Sequence, residues 1–251
     1  MRIKHSIRYE LKYVLLTNQI KTIVADLTGR LAADAHSDET GHYRVTSLYY
    51  DTAAYKAYWD KIEGHKFRRK LRIRVYGADS VLPETACFVE IKQRHDKSCA
   101  KRRIRLPYAA AEGLCTGLED DIDEGQLPDY DRTIQQEILY LTTALQLEPA
   151  CVVSYDRLAF NGDDYAPGLR ITFDTNLTGR VHALSLLSRQ QGENHFVLPP
   201  DWCIMEIKVN DRVPYWLTEV LGKHCCTLRR VSKYCATLEA CKGLLQQSSI
   251  R

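Results

Sequence analysis

The sequence predicts an α+β protein: an antiparallel β-barrel tunnel with a charged interior and helices packed outside. Three observations predict it. Strand-like segments alternate apolar with charged residues, and they do so repeatedly along the chain. Several separate stretches carry apolar residues at helical spacing, enough to cover apolar sheet faces. Finally, 45% hydrophobic and 27% charged residues over 251 positions describe a globular chain able to bury a core. The longest apolar runs, such as Cys151-Val152-Val153, are far too short to span a bilayer.

The elements follow in order. A first strand is expected from His5 to Leu15. Asn18 then caps a helix whose Ile20, Ile23, Val24, Leu27 and Leu31 keep helical spacing to about Leu31. A strand follows over Tyr43–Asp51, then a short helical turn over Tyr55–Ile62 that Gly64 breaks. Strands are expected at Lys70–Tyr76, Ala86–Arg94 and Lys101–Pro107. The acidic stretch 113–131, with Gly125 and Pro128, is expected as a loop. Ile134, Ile138, Leu141 and Leu145 mark a helix that ends before Pro149. Strands return at Ala150–Phe160, Leu169–Thr175 and Trp202–Val209. Pro214 opens a helix through Leu221, and Ser232–Leu245 is expected as the last helix. No repeat or composition break divides the chain, which reads as one domain over 1–251.

The charged faces carry most of the information. Arg72 and Arg74 share a face opposite Leu71, Ile73 and Val75. Glu90 and Lys92 share one, which Arg94 continues. Lys101, Arg103 and Arg105 share another, as do Tyr155 and Arg157. Arg170, Thr172 and Asp174 lie opposite Ile171 and Phe173, Glu206 and Lys208 lie opposite Ile207 and Val209, and Arg8, Glu10 and Lys12 form the same kind of row. A solvated, salt-bridged sheet face fits the alternation too, but would mix Thr, Ser and Gln among the charges. Here Arg and Lys dominate, with single Glu residues between them. A lining of that kind needs a polyanion, since unpaired buried charge is costly.

Net charge is only +3, but it is segregated. Residues 65–74 carry six Lys/Arg and no acid, and residues 92–105 carry seven against Asp96. Such local concentrations suit an anionic ligand. A near-neutral total and basic residues interleaved on strands argue against a nucleic-acid partner. Nine scattered cysteines without a CxxC, and no secretory leader after Met1, lead to the expectation of reduced thiols in a cytoplasmic protein. The pair Cys225-Cys226 beside His224 lacks a second ligand cluster for a metal. No Ser-His-Asp or Cys-His constellation stands out.

Ten segments, taken together, resemble a known family. They are RYELKY (8–13), SLYYDT (47–52), KFRRKLRIRVYG (66–77), FVEIKQR (88–94), KRRIRL (101–106), SYDRLAF (154–160), LRITFD (169–174), IMEIKV (204–209), VPYWL (213–217) and RRVSKYC (229–235). In this order and over nearly the whole chain they resemble the VTC-type polyphosphate polymerase domain of the CYTH, or triphosphate tunnel, superfamily. The resemblance implies a tunnel that binds ATP or another triphosphate together with a growing polyphosphate chain, and a Mn2+ or Mg2+ cofactor. It implies phosphate transfer at Arg72, Arg74, Lys92, Arg157 and Lys233. Lys12, Arg94, Lys101, Arg103, Tyr155, Lys208 and Ser232 would add phosphate contacts, and Glu206, Glu90 and Glu10 would hold the metal. Eukaryotic members join this domain to an SPX domain and membrane helices, and neither is read here. A stand-alone, bacterial-type version with a separate membrane partner is the expectation.

Two departures bear on the chemistry. The hydrolase branch has an ExExK motif near its N-terminus, and here the stretch is Arg8-Tyr9-Glu10-Leu11-Lys12. Loss of a carboxylate weakens a two-metal hydrolytic site and favours the polymerase. Some members place His two residues after the strand Lys, where this chain has Arg94. A metal-dependent triphosphate or nucleotide hydrolase and a non-catalytic polyphosphate-binding module stay as alternatives.

Overall fold

A computed structural model describes residues 8–34, 41–78, 80–96, 98–117, 128–162, 166–187, 192–210 and 212–243. The elements run β1 (Arg8–Leu16), α1 (Asn18–Leu27), β2 (Leu31–Ala33), β3 (His42–Asp51), α2 (Lys56–Ile62), β4 (Phe67–Tyr76), β5 (Ala86–His95), β6 (Ser98–Pro107), α3 (Tyr108–Thr116), α4 (Asp129–Leu145), β7 (Glu148–Gly162), β8 (Arg170–Arg180), β9 (His195–Phe196), β10 (Trp202–Asn210), α5 (Tyr215–Lys223) and α6 (Lys233–Lys242). The class is α+β, and the sheet is mostly antiparallel, as in the pairings of β10 with β1 and β8, of β4 with β3 and β5, and of β5 with β6. Hydrogen bonding follows the order β1-β10-β8-β7-β3-β4-β5-β6, with β2 on β7 and β9 on β8. Among the described residues this path is open, with β1 and β6 at its ends, where the sequence reading expects a barrel.

Two compact units divide the chain, each assembled from segments distant in sequence. The first comprises residues 1–44, 155–177 and 198–232. Its sheet is built on β10, with β1 and β8 on either side. Odd-numbered β1 residues Tyr13 and Leu15 meet Met205 and Cys203, and Phe173 and Ile171 oppose Met205 and Ile207. All are buried in one apolar cluster, which Ile23 and Leu27 of α1 and Leu217 of α5 complete. Fully burying one such aliphatic side chain is worth about 1.5–3 kcal/mol. That gain decides which face of each strand turns inward.

The second unit comprises residues 45–154, 178–197 and 233–251. Strand β4 pairs with β3 and β5, and β5 pairs with β6. Leu71, Ile73, Val75, Cys87, Val89, Ile91, Ile104 and Leu106 form one apolar face. Ala111, Leu114 and Cys115 of α3 and Ile134, Ile138 and Leu141 of α4 pack on it. Helix α6 approaches β8 closely: a Cβ on Gly179 would meet the Thr237 side chain at 2.6 Å and the Val152 carbonyl at 2.7 Å. Glycine is therefore required there.

Several boundaries differ from the sequence reading. Helix α1 stops at Leu27 because Thr28 leaves helical geometry and Gly29 takes φ +80°, so Leu31 opens β2 instead. Strands β4 and β6 begin earlier than expected because the β5–β6 register continues to His95↔Ser98 and the β4–β5 register to Phe67↔His95. The stretch expected as a loop over 113–131 is helical at both ends, in α3 through Thr116 and in α4 from Asp129. Pro107 and Pro128 directly precede these helices, where a fixed φ suits a helix entry. Residues 118–127 of that stretch lie outside the described residues, as do His5 at the expected start of the first strand and Leu245 at the expected end of the last helix.

Candidate active site

Each unit carries a charged sheet face opposite its apolar one. In the second unit the register sets the face row by row. Arg74 opposes Ser47 and Phe88, and Phe88 opposes Arg105. Arg72 opposes Tyr49 and Glu90, and Glu90 opposes Arg103. Lys70, Lys92 and Lys101 stand in one line across three strands, and Arg68 opposes Arg94. Among the β4, β5 and β6 residues of these rows, Glu90 is the one carboxylate.

Glu90 is fully buried and holds the cations in place. Arg72 donates to its Oε2 from Nε at 2.8 Å and from Nη2 at 2.6 Å, and Lys101 Nζ stands 2.5 Å from Oε1. Burial pushes this carboxyl upward, but the charges of Arg72, Arg74 and Lys101 outweigh it and hold it well below the usual range. Arg72 also donates to the Tyr49 hydroxyl at 2.8 Å, and the buried Arg74 donates to Ser47 Oγ at 2.9 Å. Burial raises the Tyr49 pKa, yet the guanidiniums of Arg72 and Arg74 bring it below its ordinary value. The Arg103 guanidinium lies 4.5 Å from the Phe88 ring centre. Lys101 and Arg103 do share one face, as the alternation requires.

Lys233 opens α6 and is 7% exposed. A cation at a helix N-terminus is disfavoured by the helix dipole, and a bound anion removes that penalty. The helix is fixed by the next residue. The Tyr234 hydroxyl donates to buried Asp51, its ring lies 5.1 Å from that of Tyr49, and Lys70 Nζ lies 4.5 Å from its centre. Asp51 also accepts the backbone N–H groups of Thr52, Ala57 and Tyr58.

In the first unit, Lys12, Glu206 and Thr172 stand in one line across β1, β10 and β8, and Glu10, Lys208 and Arg170 form the next. Lys12 Nζ is 3.1 Å from Glu10 Oε1 and 3.1 Å from Glu206 Oε1, and Lys208 Nζ is 3.7 Å from Glu206 Oε2. Burial acts to lower the Lys12 pKa, but the two carboxylates prevail and hold it above its ordinary value, so it stays charged. Arg157 is buried and clamped by Asp174, with Nε–Oδ1 at 2.6 Å and Nη2–Oδ2 at 2.7 Å. Its Nη2 also reaches the Tyr155 hydroxyl at 3.3 Å. Nη1 has no partner among the described residues, which leaves one guanidinium edge for an incoming anion.

The expected metal carboxylates do not form one group. Glu10 and Glu206 meet at Lys12, whereas Glu90 belongs to the second unit and both its oxygens face cations. No cluster of three or more His, Cys, Asp or Glu occurs among the described residues. A hard cation held by one or two carboxylates needs further oxygens. Thr172 supplies a fitting one: its hydroxyl is buried beside Glu206 in the register and has no hydrogen-bond partner among the described residues. Glu206 also faces cations, Lys12 at Oε1 and Lys208 at Oε2, so a divalent ion held there with Glu10, Thr172 and phosphate oxygens would compete with the Lys12 ammonium for these carboxylates.

Sequence reasoning placed the cations but missed their holders. Tyr49, Ser47 and Asp174 orient Arg72, Arg74 and Arg157. Tyr49 and Ser47 lie at period two in SLYYDT, which a stricter reading of that strand would have put on the charged face.

The sequence profile of one protein family, described as the VTC domain, matches residues 7–242. Two solved structures share the fold. One, from Bacillus halodurans, is described as a candidate adenylate cyclase; it is 12% identical, with 90% of this chain and 94% of that one covered and a TM-score of 0.50. The other is a candidate adenylyl cyclase from Hippeastrum, described as having a dominant triphosphatase activity; it is 16% identical, with 94% and 97% covered and a TM-score of 0.51. No curated protein gives a significant sequence match.

Proposed function

The chain belongs to the VTC domain family, and on that premise we propose that it is an ATP-dependent polyphosphate polymerase. In this reading a terminal oxygen of the polyphosphate chain attacks the γ-phosphorus of ATP. A new P–O–P link forms, the bond from the γ-phosphorus to the β,γ-bridging oxygen breaks, and ADP leaves. The observation that carries the proposal is the cationic face of the second unit, where the register aligns Arg72, Arg74, Lys92, Lys101 and Arg103 around Glu90. Fixed cations of this kind stabilise the charge spread over a transferring phosphoryl group. The attacking oxygen is already ionised, so no general base is needed.

Each group has a role. Arg72 and Arg74, oriented by Glu90, Tyr49 and Ser47, grip phosphate oxygens. Arg157, fixed by Asp174, offers Nη1, with Tyr155 alongside. Lys12, Lys92, Lys208 and Lys233 add point charges, and Arg94 and Ser232 add further contacts. Glu206, with Glu10 and Thr172, would hold Mn2+ or Mg2+, which neutralises phosphate charge when bound. In this reading Glu90 serves as the counter-charge that orients Arg72 and Lys101 rather than as a metal ligand.

The test is incubation of the protein with ATP and Mn2+, followed by a gel stained for polyphosphate. A polymer ladder that is absent from Glu206→Gln, while that variant still binds polyphosphate, supports the reading. Full metal-dependent turnover in Glu206→Gln would refute the metal assignment. Phosphate release from inorganic triphosphate without polymer would make the protein a hydrolase, and binding without turnover would make it a polyanion-binding module.

A further inference from the structure

On β4, β5 and β6, the two rows next to Arg72 on the charged face of the second unit hold no carboxylate. Lys70 opposes Lys92, Lys92 opposes Lys101, and Arg68 opposes Arg94. Directly opposed residues in an antiparallel pair place their Cβ atoms about 4.5–5.5 Å apart, where like charges destabilise the sheet. The lysine row is relieved from its sides, since Lys101 reaches Glu90 and Lys70 lies over the Tyr234 ring. The arginine row has no such relief from the protein, and Arg94 is exposed to solvent. Arg68 makes no hydrogen bond or ion pair among the described residues, and Arg94 donates only from Nε, to the Asp96 carbonyl at 2.8 Å. Other ionisable groups near Arg68 are Asp60, Cys99 and Cys235, and Asp60 is already paired with Lys56 and His65. Burial and the Arg94 charge together lower the Arg68 pKa below its ordinary value, which is the direction expected of an uncompensated cation pair.

Two guanidiniums facing each other across a ladder can both donate to the oxygens of one phosphate. Arg68 lies four residues along β4 from Arg72, about 13 Å at strand rise. The Lys70–Lys92 row bridges that interval.

We propose that Arg68 and Arg94 form a distal phosphate subsite that holds a long polyphosphate chain beyond the reach of a triphosphate bound at Arg72 and Arg74. The ligand's identity rests on the function proposed above, whereas the subsite itself rests on the opposed arginines. It would secure the growing chain between additions and bias the enzyme toward elongating long chains.

The experiment compares the wild type with the double variant Arg68→Ala/Arg94→Ala. Inorganic triphosphate and long-chain polyphosphate are each titrated at several salt concentrations. The expected result is a fall of about tenfold in the ratio of long-chain to triphosphate affinity, equivalent to about 1.4 kcal/mol. The salt slope for the long chain should drop by about one, as for the loss of a phosphate contact. An unchanged ratio, through equal losses for both ligands or none for either, overturns the proposal. Should the alanine variant not fold, Arg68→Lys/Arg94→Lys keeps the charge but loses the bidentate grip. Its ratio should fall in the same direction while the salt slope is kept, and an unchanged ratio there refutes the subsite equally. A wild type that makes no polymer but shows the ratio change sinks the polymerase reading and leaves the subsite standing. A wild type that binds the long chain no better than triphosphate sinks the subsite, whatever the polymer gel shows.

Discussion

Glu90→Gln keeps the shape of the side chain and removes its charge. In the wild type the buried carboxylate faces Arg72 through two contacts of 2.6 and 2.8 Å and Lys101 at 2.5 Å. Breaking a buried ion pair by neutralising one partner costs about 3–5 kcal/mol. Two features move the expectation to the lower end. Lys101 has 42% of its side chain exposed, so solvent screens its share. Arg72 also keeps its bond to the Tyr49 hydroxyl. The expected loss is therefore about 3 kcal/mol at neutral pH. For a chain of this size that is about 6–12 °C in Tm, at about 2–4 °C per kcal/mol.

The pH dependence follows from the lowered Glu90 pKa. A carboxylate whose folded value lies below its ordinary 4.5 contributes fully above that pH, and the contribution is lost as pH falls toward the folded value. The gap in Tm between wild type and variant should thus be constant from neutral pH down to about 4.5 and narrow below it. Saturating triphosphate should narrow the gap at neutral pH as well, because the bound anion supplies the missing counter-charge. Thermal melts followed by circular dichroism, over a pH series with and without triphosphate, read all three effects. A variant as stable as the wild type at neutral pH would refute the claim that Glu90 holds the cationic face together.

Two further outcomes are expected. Asp174→Asn leaves the buried Arg157 guanidinium without its counter-ion and should cost about 3–5 kcal/mol in urea unfolding; a midpoint equal to wild type would show that the clamp contributes nothing. Cys225 is the exposed thiol among the nine cysteines, whereas Cys87 is buried and its pKa is pushed up to about 12 by burial. A thiol reagent should therefore label Cys225 first, Cys225→Ser should remove the fast phase, and Cys87 should react only on unfolding.

Among the described residues no helix is long and apolar enough to cross a membrane. The family match and the charged faces bear on chemistry rather than on where in the cell it takes place.

The strands and their faces were legible because a period of two is a local property. Leu71, Ile73 and Val75 had to turn one way and Arg72 and Arg74 the other, whatever partner strands arrived. The same logic identified Glu10 with Lys12 and Glu206 with Lys208 as rows. Helix ends and entries were less legible. Gly29 ended α1 four residues early, and α3 went unread: its first five residues follow directly on the expected strand, and only its last four fall in the stretch expected as a loop.

What no strand could state by itself is which row meets which. Register is a relation between segments far apart in sequence, and one residue of slip exchanges the two faces. Only the tertiary structure set Lys12 against Glu206 and Glu206 against Thr172, gave both oxygens of Glu90 to cations, and put Asp174 on Arg157. The sequence by itself determined that cations would line one face of each sheet, because burial of the apolar face forces it. Which carboxylate serves as counter-charge and which has an unpaired oxygen donor beside it was decided by pairing across the ladders, where separations of a few ångströms fix the electrostatics.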